Sequence, residues 1–171
     1  MLDQEITYIN IDQSNKHAVE KFVGKLSTEI DDPDMFLSPD NELLNKCLDS
    51  KLSFAAIHEG EIVAGRFSYI PGLIQENLGH VFNLPDSDLE RLVQYQSIFV
   101  LKKYRGNGFG SELHKKSLEL IRSKGFKFIT ATCHPKNEIS LHLLLTKFGF
   151  RCDSEIHSVR GKERCVLLKN I

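Results

Sequence analysis

The stretch "YRGNGFGSEL", residues 104–113, sets Gly106, Gly108 and Gly110 beside Arg105, between an apolar run and a helical pattern. A strand that feeds such a turn into a helix aims backbone N–H groups, unobstructed by side chains, at one spot ahead of the helix. The helix dipole adds roughly half a positive charge there, so the spot suits a phosphate or diphosphate. The same glycines would also serve a turn that needs only positive φ, and taken singly they do not separate the two uses. A triphosphate loop requires GxxxxGK[ST], and Gly108 to Ser111 lack the lysine and the spacing. A dinucleotide fingerprint requires GxGxxG with an acidic residue about 20 positions on. Here the glycines run GxGxG, and no acidic residue ends the following element.

Other reactive residue types give weaker patterns. The histidines show no HExxH or comparable spacing, so no metal is expected. Cys47, Cys133, Cys152 and Cys165 lie far apart without a CxxC pair, the pattern of reduced, mostly buried thiols. His134, before Pro135 at the end of a predicted strand, is a surface or structural residue unless a cleft lies beside it.

The elements that must position the glycine loop follow from periodicity. "EITYINI" (5–11) alternates as a strand, and Ser14 and Asn15 start a helix carrying Val19, Phe22, Val23 and Leu26. Turn chemistry in "DDPDMFLSPD" precedes a short helix marked by Leu43, Leu44, Cys47 and Leu48. "LSFAAIHEGEIVAGRFSYI" is a hairpin turning at Glu59 and Gly60. Residues 71–93 read as an insertion of loop and short helix; then come a strand from 94, a helix over 108–124, a strand in "FKFITATC" and a helix over 137–148. Phe109, Leu113 and Leu120 fall within about 40° on the first of these helices and form its core stripe. Two closing strands turn at Arg160 and Gly161.

Composition bounds the partners. A chain of 171 residues with 41% apolar side chains can bury a substantial core, and a single domain over 1–171 is expected. With 22 basic and 23 acidic side chains, bulk charge attracts neither nucleic acid nor an anionic membrane. The start "MLDQEITYIN" has no positive region leading into a long apolar core, and no run approaches the roughly 18 apolar residues of a membrane span, so a cytoplasmic protein is expected.

The loop matches an RxxGx[GA] signature at Arg105, Gly108 and Gly110, preceded by Val100 and Tyr104. A second landmark is "ATCHPKNEISLHLLLTKFGF", where Asn137 and Ser140 open a helix and "KFGF" closes it. With the order of elements from about residue 5 to 170, these residues resemble the GNAT acetyltransferases. The resemblance implies an α/β (α+β) fold: a mixed, mostly antiparallel sheet with splayed central strands and helices on both faces. It implies acetyl-CoA as co-substrate and direct transfer of its acetyl group, in a ternary complex, to an amine of a small molecule or peptide. In that picture the exposed backbone of Ile98, Phe99 and Val100 pairs with the pantetheine arm. Arg105, Gly106, Asn107, Gly108, Phe109, Gly110 and Ser111 surround the diphosphate. The Val100 N–H meets the oxyanion, and Lys102 and Lys103 are either solvated or draw in the anionic end. Asn137 either caps its helix or, with Ser140, contacts the arm. The family's edge strands often pair between chains, which makes a homodimer one expectation.

The sequence departs from the family at one place. Many members carry a tyrosine as general acid about one turn before "GF"; here Leu144 or Leu145 stands there, the stretch from Asn137 to Gly149 is one residue longer than usual, and no tyrosine follows Tyr104. A general base is likewise unassigned among Glu76, His80 and Glu90 of the insertion. The missing tyrosine keeps a second class open, a module that holds acyl-CoA without turnover.

Overall fold

A computed structural model describes residues 5–171. Its centre is a seven-stranded sheet in the order β1-β2-β3-β4-β5-β7-β6. The strands are β1 Thr7–Ile11, β2 Ser53–His58, β3 Glu61–Tyr69, β4 Leu92–Val100, β5 Phe128–Cys133, β6 Arg151–Val159 and β7 Lys162–Asn170. Only the β4–β5 pair is parallel. The helices are α1 Lys16–Ser27, α2 Asn41–Asp49, α3 Asp86–Leu89, α4 Phe109–Ser123 and α5 Glu138–His142. This is the mixed, mostly antiparallel architecture expected from the sequence.

Both hairpins turn at residue pairs in the left-handed region, Glu59 (φ 52°) with Gly60 (φ 77°) and Arg160 (φ 51°) with Gly161 (φ 76°). Positive φ at both central residues is what a tight two-residue turn needs to match the twist of its strands.

Helices cover opposite faces of the sheet. A Cβ on Gly65 of β3 would meet Phe22 of α1, whereas Ile98 of β4 lies against Gly110 of α4. Gly65 is paired with Phe99 and Arg66 with Ile98, so these adjacent residues point to alternate faces. On the α1 and α2 face, Val19, Phe22, Leu26, Leu44, Cys47 and Leu48 are buried with Phe67 and Phe99. Burying a side chain such as Phe67 contributes roughly 1.5 to 3 kcal/mol. On the α4 side, Ile121, Ile129, Ala131, Leu144 and Phe150 surround Tyr95. Burial pushes the Cys47 thiol up to about 12, in keeping with a thiol that only packs.

The largest local surprise is the helix after β5. Beyond His142 the chain widens into a π turn over Leu143–Lys147, closed by Phe148 N–H donating to the Leu143 carbonyl five residues back at 2.9 Å. The extra residue counted between Asn137 and Gly149 is accommodated in this turn, which leaves Phe150 buried at the start of the closing hairpin.

Candidate active site

The glycine loop is fastened at its base and open at its tip. Tyr104, closing a short turn after β4, is buried; its hydroxyl hydrogen-bonds His58 Nδ1 at 3.1 Å and its ring stands edge-on to Phe109. Asn107 folds its side-chain amide back onto the carbonyls of Tyr104 and Arg105, at 3.1 and 3.2 Å. Gly106 (φ 80°) and Gly108 (φ 81°) take the left-handed conformation, and Gly108 is the N-cap of α4. The amides of Ser111 and Glu112 donate to the Gly108 carbonyl, and that of Arg105 to Lys102. Those of Gly106, Asn107, Gly108, Phe109 and Gly110 donate to no acceptor among the described residues. Consecutive free amides at the start of a 15-residue helix form a nest for an anion.

Beside the nest the sheet opens. The β4–β5 ladder runs only from Leu92 opposite Phe128 to Gln94 opposite Thr130, while β4 continues to Val100. A bulge sets in here: Phe67 pairs with Ser97 and Ser68 with Tyr95, leaving Gln96 as an extra residue. Leu101 N–H donates to Val63 at 3.0 Å, which fixes the alternation on the β3 side. By that alternation the N–H and carbonyl of Ile98 and Val100 face away from β3, into the gap left by β5.

A cavity of about 450 Å³ fills this gap, lined by Ile98, Phe99, Val100, Arg105 and Asn137 and by the chain after α1. Arg105 Nε donates to the Val100 carbonyl at 3.1 Å. Lys102 turns away to the acidic segment after α1: its amide donates to Glu29 at 2.6 Å and its Nζ lies 3.6 Å from Asp31. Lys103 is exposed, its Nζ 5.4 Å from the Tyr104 ring centre. Ser111 accepts Lys147 Nζ at 2.8 Å, a tie between α4 and the π turn. Asn137 caps α5 by accepting the Ser140 amide at 3.1 Å. Replacing Asn137 with alanine is expected to lower stability by about 1 kcal/mol, and Asn137→Asp to restore it; thermal melting of the two variants checks this.

A second cavity, of about 430 Å³, lies further along β4 and includes Gln94, Tyr95, Gln96 and Thr132. Its walls come from α2, the 71–93 insertion and the turn between β6 and β7. Glu76 and His80 line it, whereas Glu90 does not; His134 is in neither cavity, and its Nδ1 accepts the Lys136 amide at 3.1 Å. Sequence reasoning missed the buried group in this cavity, the Tyr69 hydroxyl, which accepts from Gln94 Nε2 at 2.7 Å. No periodic signal marks such a pair. Where a family tyrosine was expected, Leu144 is buried and Leu145 is 38% exposed. Among the described residues no cluster of His, Cys, Asp or Glu has the makings of a metal site, and no helix is long and apolar enough to cross a membrane.

Comparisons with known proteins agree with this geometry. Residues 19–150 match the model of the acetyltransferase (GNAT) family. No curated protein matches the chain. Among solved structures, Arabidopsis thaliana NAA60 in complex with acetyl-CoA superposes with a TM-score of 0.73 at 16% identity, over 98% of this chain and 99% of that one. A GNAT-family acetyltransferase from Streptococcus pneumoniae gives 0.72 at 18% identity, over 98% and 99%. A Drosophila melanogaster polyamine N-acetyltransferase that forms N-acetylagmatine gives 0.68 at 13% identity, over 98% and 100%.

Proposed function

The chain belongs to the GNAT acetyltransferase family, and on that premise we propose that it transfers an acetyl group from acetyl-CoA to an amine by direct attack in a ternary complex. The observation that carries this reading is the run of free amides from Gly106 to Gly110, opening onto a strand end that β5 leaves unpaired beyond Gln94. The loop amides hold the diphosphate, helped by the α4 dipole. Ile98 and Val100 pair with the pantetheine arm as an added strand would. Asn137 lines the cavity and caps α5 through the Ser140 amide, so it borders the arm, with Ser140 next to it in the first turn of the helix.

The amine enters through the second cavity, next to Gln96. An alkyl amine with pKa near 10 is uncharged in only about one molecule in 10³ at neutral pH, so loss of its proton is part of the barrier. The neutral nitrogen attacks the thioester carbon and the carbonyl oxygen gains charge. The family resemblance implies Val100 N–H as donor to that oxygen; the geometry favours Ile98 N–H, which faces the same way and lies two residues nearer the acceptor cavity. Val100 is then left to the arm. The nitrogen gives up a proton to water, the carbon–sulfur bond breaks, and with leucine in place of the usual acid the sulfur leaves as thiolate.

The leucines also favour a second reading, a module that holds acyl-CoA without turnover. Thiol release from acetyl-CoA across a panel of amines separates the two. Acceptor-dependent release supports catalysis; tight binding with no such release leaves only the module.

A further inference from the structure

The acceptor cavity has a charged upper part and an uncharged floor. Asp40 caps α2 through the Leu43 amide at 2.8 Å and pairs with Arg160 at 3.1 Å. Glu42 pairs with Lys46 at 2.8 Å. His80 Nε2 is 3.1 Å from the Ile74 carbonyl, and both His80 and Glu76 are exposed. The buried lining residues that could meet a reacting amine beside β4 are Tyr69, Gln94 and Tyr95, with Gln96 and Thr132 half-buried. No carboxylate or imidazole is buried in this lining. A floor of this kind offers nothing to hold an ammonium ion or to take its proton, so an amine gains entry in its neutral form.

That condition discriminates between amines by their own basicity. An α-amino group titrates near 7.7 to 8.0 and a lysine-type amine near 10.4. At pH 7.5 roughly a third of the first is neutral, against about one part in 800 of the second, a difference of more than two orders of magnitude.

The floor also holds one oriented donor. The Leu78 amide donates to Gln94 Oε1 at 3.2 Å, and since an N–H can donate only to the oxygen of that side chain, Nε2 must be the atom facing Tyr69. The Tyr69 oxygen accepts that bond, and its own proton has no acceptor among the described residues. Burial raises the Tyr69 phenol to about 12, so it stays a donor throughout the working range. Gln94, beside it, lies two strand residues, about 7 Å, from Gln96. The free hydroxyl proton of Tyr69 suits a carbonyl oxygen carried beside the reacting nitrogen. The walls are apolar at Leu37, Leu43, Leu78 and Val81.

We propose that the acceptor is a free α-amine of a peptide or aminoacyl amide with an apolar first side chain, its carbonyl hydrogen-bonded by Tyr69. This rests on the acetyl-transfer reading above. In the step itself the neutral α-nitrogen forms the new C–N bond, the C–S bond breaks, water takes the proton from nitrogen, and the sulfur leaves as thiolate.

The test compares two peptides of one sequence beginning with leucine: one with a free N-terminus and a blocked lysine, the other blocked at the N-terminus with a free lysine. Spermidine and an apolar amine of matched pKa lacking the carbonyl complete the panel. At pH 7.5 the free N-terminus should react at least 100-fold faster than the lysine side chain or spermidine, with acetylation located by mass spectrometry. With acetyl-CoA saturating, kcat/KM should rise with pH only up to the acceptor's own pKa and shift when that pKa is changed. Tyr69→Phe should lower kcat/KM for the peptide about tenfold, mainly through KM, and leave the carbonyl-free amine and acetyl-CoA affinity unaltered. Preference for lysine or spermidine, a pH profile fixed regardless of acceptor, or an equal effect of Tyr69→Phe on both amines would each overturn the proposal while leaving acetyl transfer standing. Absence of thiol release with every amine would overturn both.

Discussion

Gly108→Val is expected to weaken acetyl-CoA binding by about two orders of magnitude in titration calorimetry while leaving the protein folded. Gly108 sits at φ 81° as the N-cap of α4, and a Cβ added there would meet no atom within 4 Å. The space is open because it lies in front of the free amides, where the diphosphate is held in the proposed complex. An L side chain costs roughly 1 to 2 kcal/mol in the left-handed conformation, so valine either strains the loop or rotates the amides away from their common focus. Losing one or two charge-assisted bonds of about 1.5 to 3 kcal/mol each accounts for the hundredfold fall. Gly125 supplies the control. It has φ 83°, is equally unobstructed, and lies beyond the other end of α4. Gly125→Val should impose the same strain, lowering the Tm by about 2 to 8 °C, without touching acetyl-CoA affinity. Gly110 differs from both, since its Cβ would make an ordinary 3.6 Å contact with Ile98 Cδ1 and its backbone is helical. The prediction fails if Gly108→Val and Gly125→Val bind the co-substrate equally well.

The parts legible in the sequence are those with a local physical signature. Gly60 and Gly161 announce hairpin turns, and Arg105 to Gly110 announces a strand-to-helix nest, because each needs backbone freedom at a fixed place. The β4 strand begins at Leu92, two residues earlier than its pattern suggests, since Leu92 and Val93 belong to a fully buried run that does not alternate. What stayed hidden depends on distant partners. Lys102 reads as a surface cation near a phosphate, yet its amide is held by Glu29 from 73 positions away. Tyr69 and Gln94 make the floor of the acceptor cavity across 25 positions. The π turn was visible only as a surplus residue before Gly149, since nothing in "LHLLLTK" says whether a helix absorbs the extra residue by widening or by shifting its cap. Arg66 gave no signal of its environment either. A strand arginine predicts a solvated end, but it is 3% exposed, its guanidinium 4.1 Å above the Tyr95 ring, with no carboxylate paired to it among the described residues.

Near that buried cation, His114 makes the protein acid-sensitive. The imidazole lies under α4, stacked on Phe148 at 3.8 Å and edge-on to Tyr95, and its Nδ1 has no partner among the described residues. Burial first, then the positive charges of Arg66, Lys169 and Arg122, bring its pKa from 6.5 down to about 3. Below pH 6.5 the unfolded chain therefore takes up a proton that the folded protein refuses, and stability falls as pH falls, until the native imidazole titrates near 3. The limit is about 1.4 kcal/mol for each pH unit in that window, so between pH 6.5 and 4.5 a loss of roughly 2 kcal/mol is expected, or about 4 to 8 °C in Tm. His114→Phe keeps the stacking on Phe148 and removes the titration, and its Tm should change little over the same two units. Glu61 does not confuse the window. Lys25 and Lys21 hold its carboxyl down to about 2, so its contribution is lost only below the ordinary 4.5. Because Tyr95 belongs to β4, where the strand parts from β5, protonating His114 would also loosen the wall that presents Ile98 and Val100, but only near pH 3, where the folded imidazole titrates. Between pH 6.5 and 4.5 the folded protein keeps this imidazole neutral, so acetyl-CoA affinity should change no more in the parent protein than in His114→Phe. Parallel Tm curves for the two proteins from pH 6.5 to 4.5 would show that the imidazole is not the group responsible.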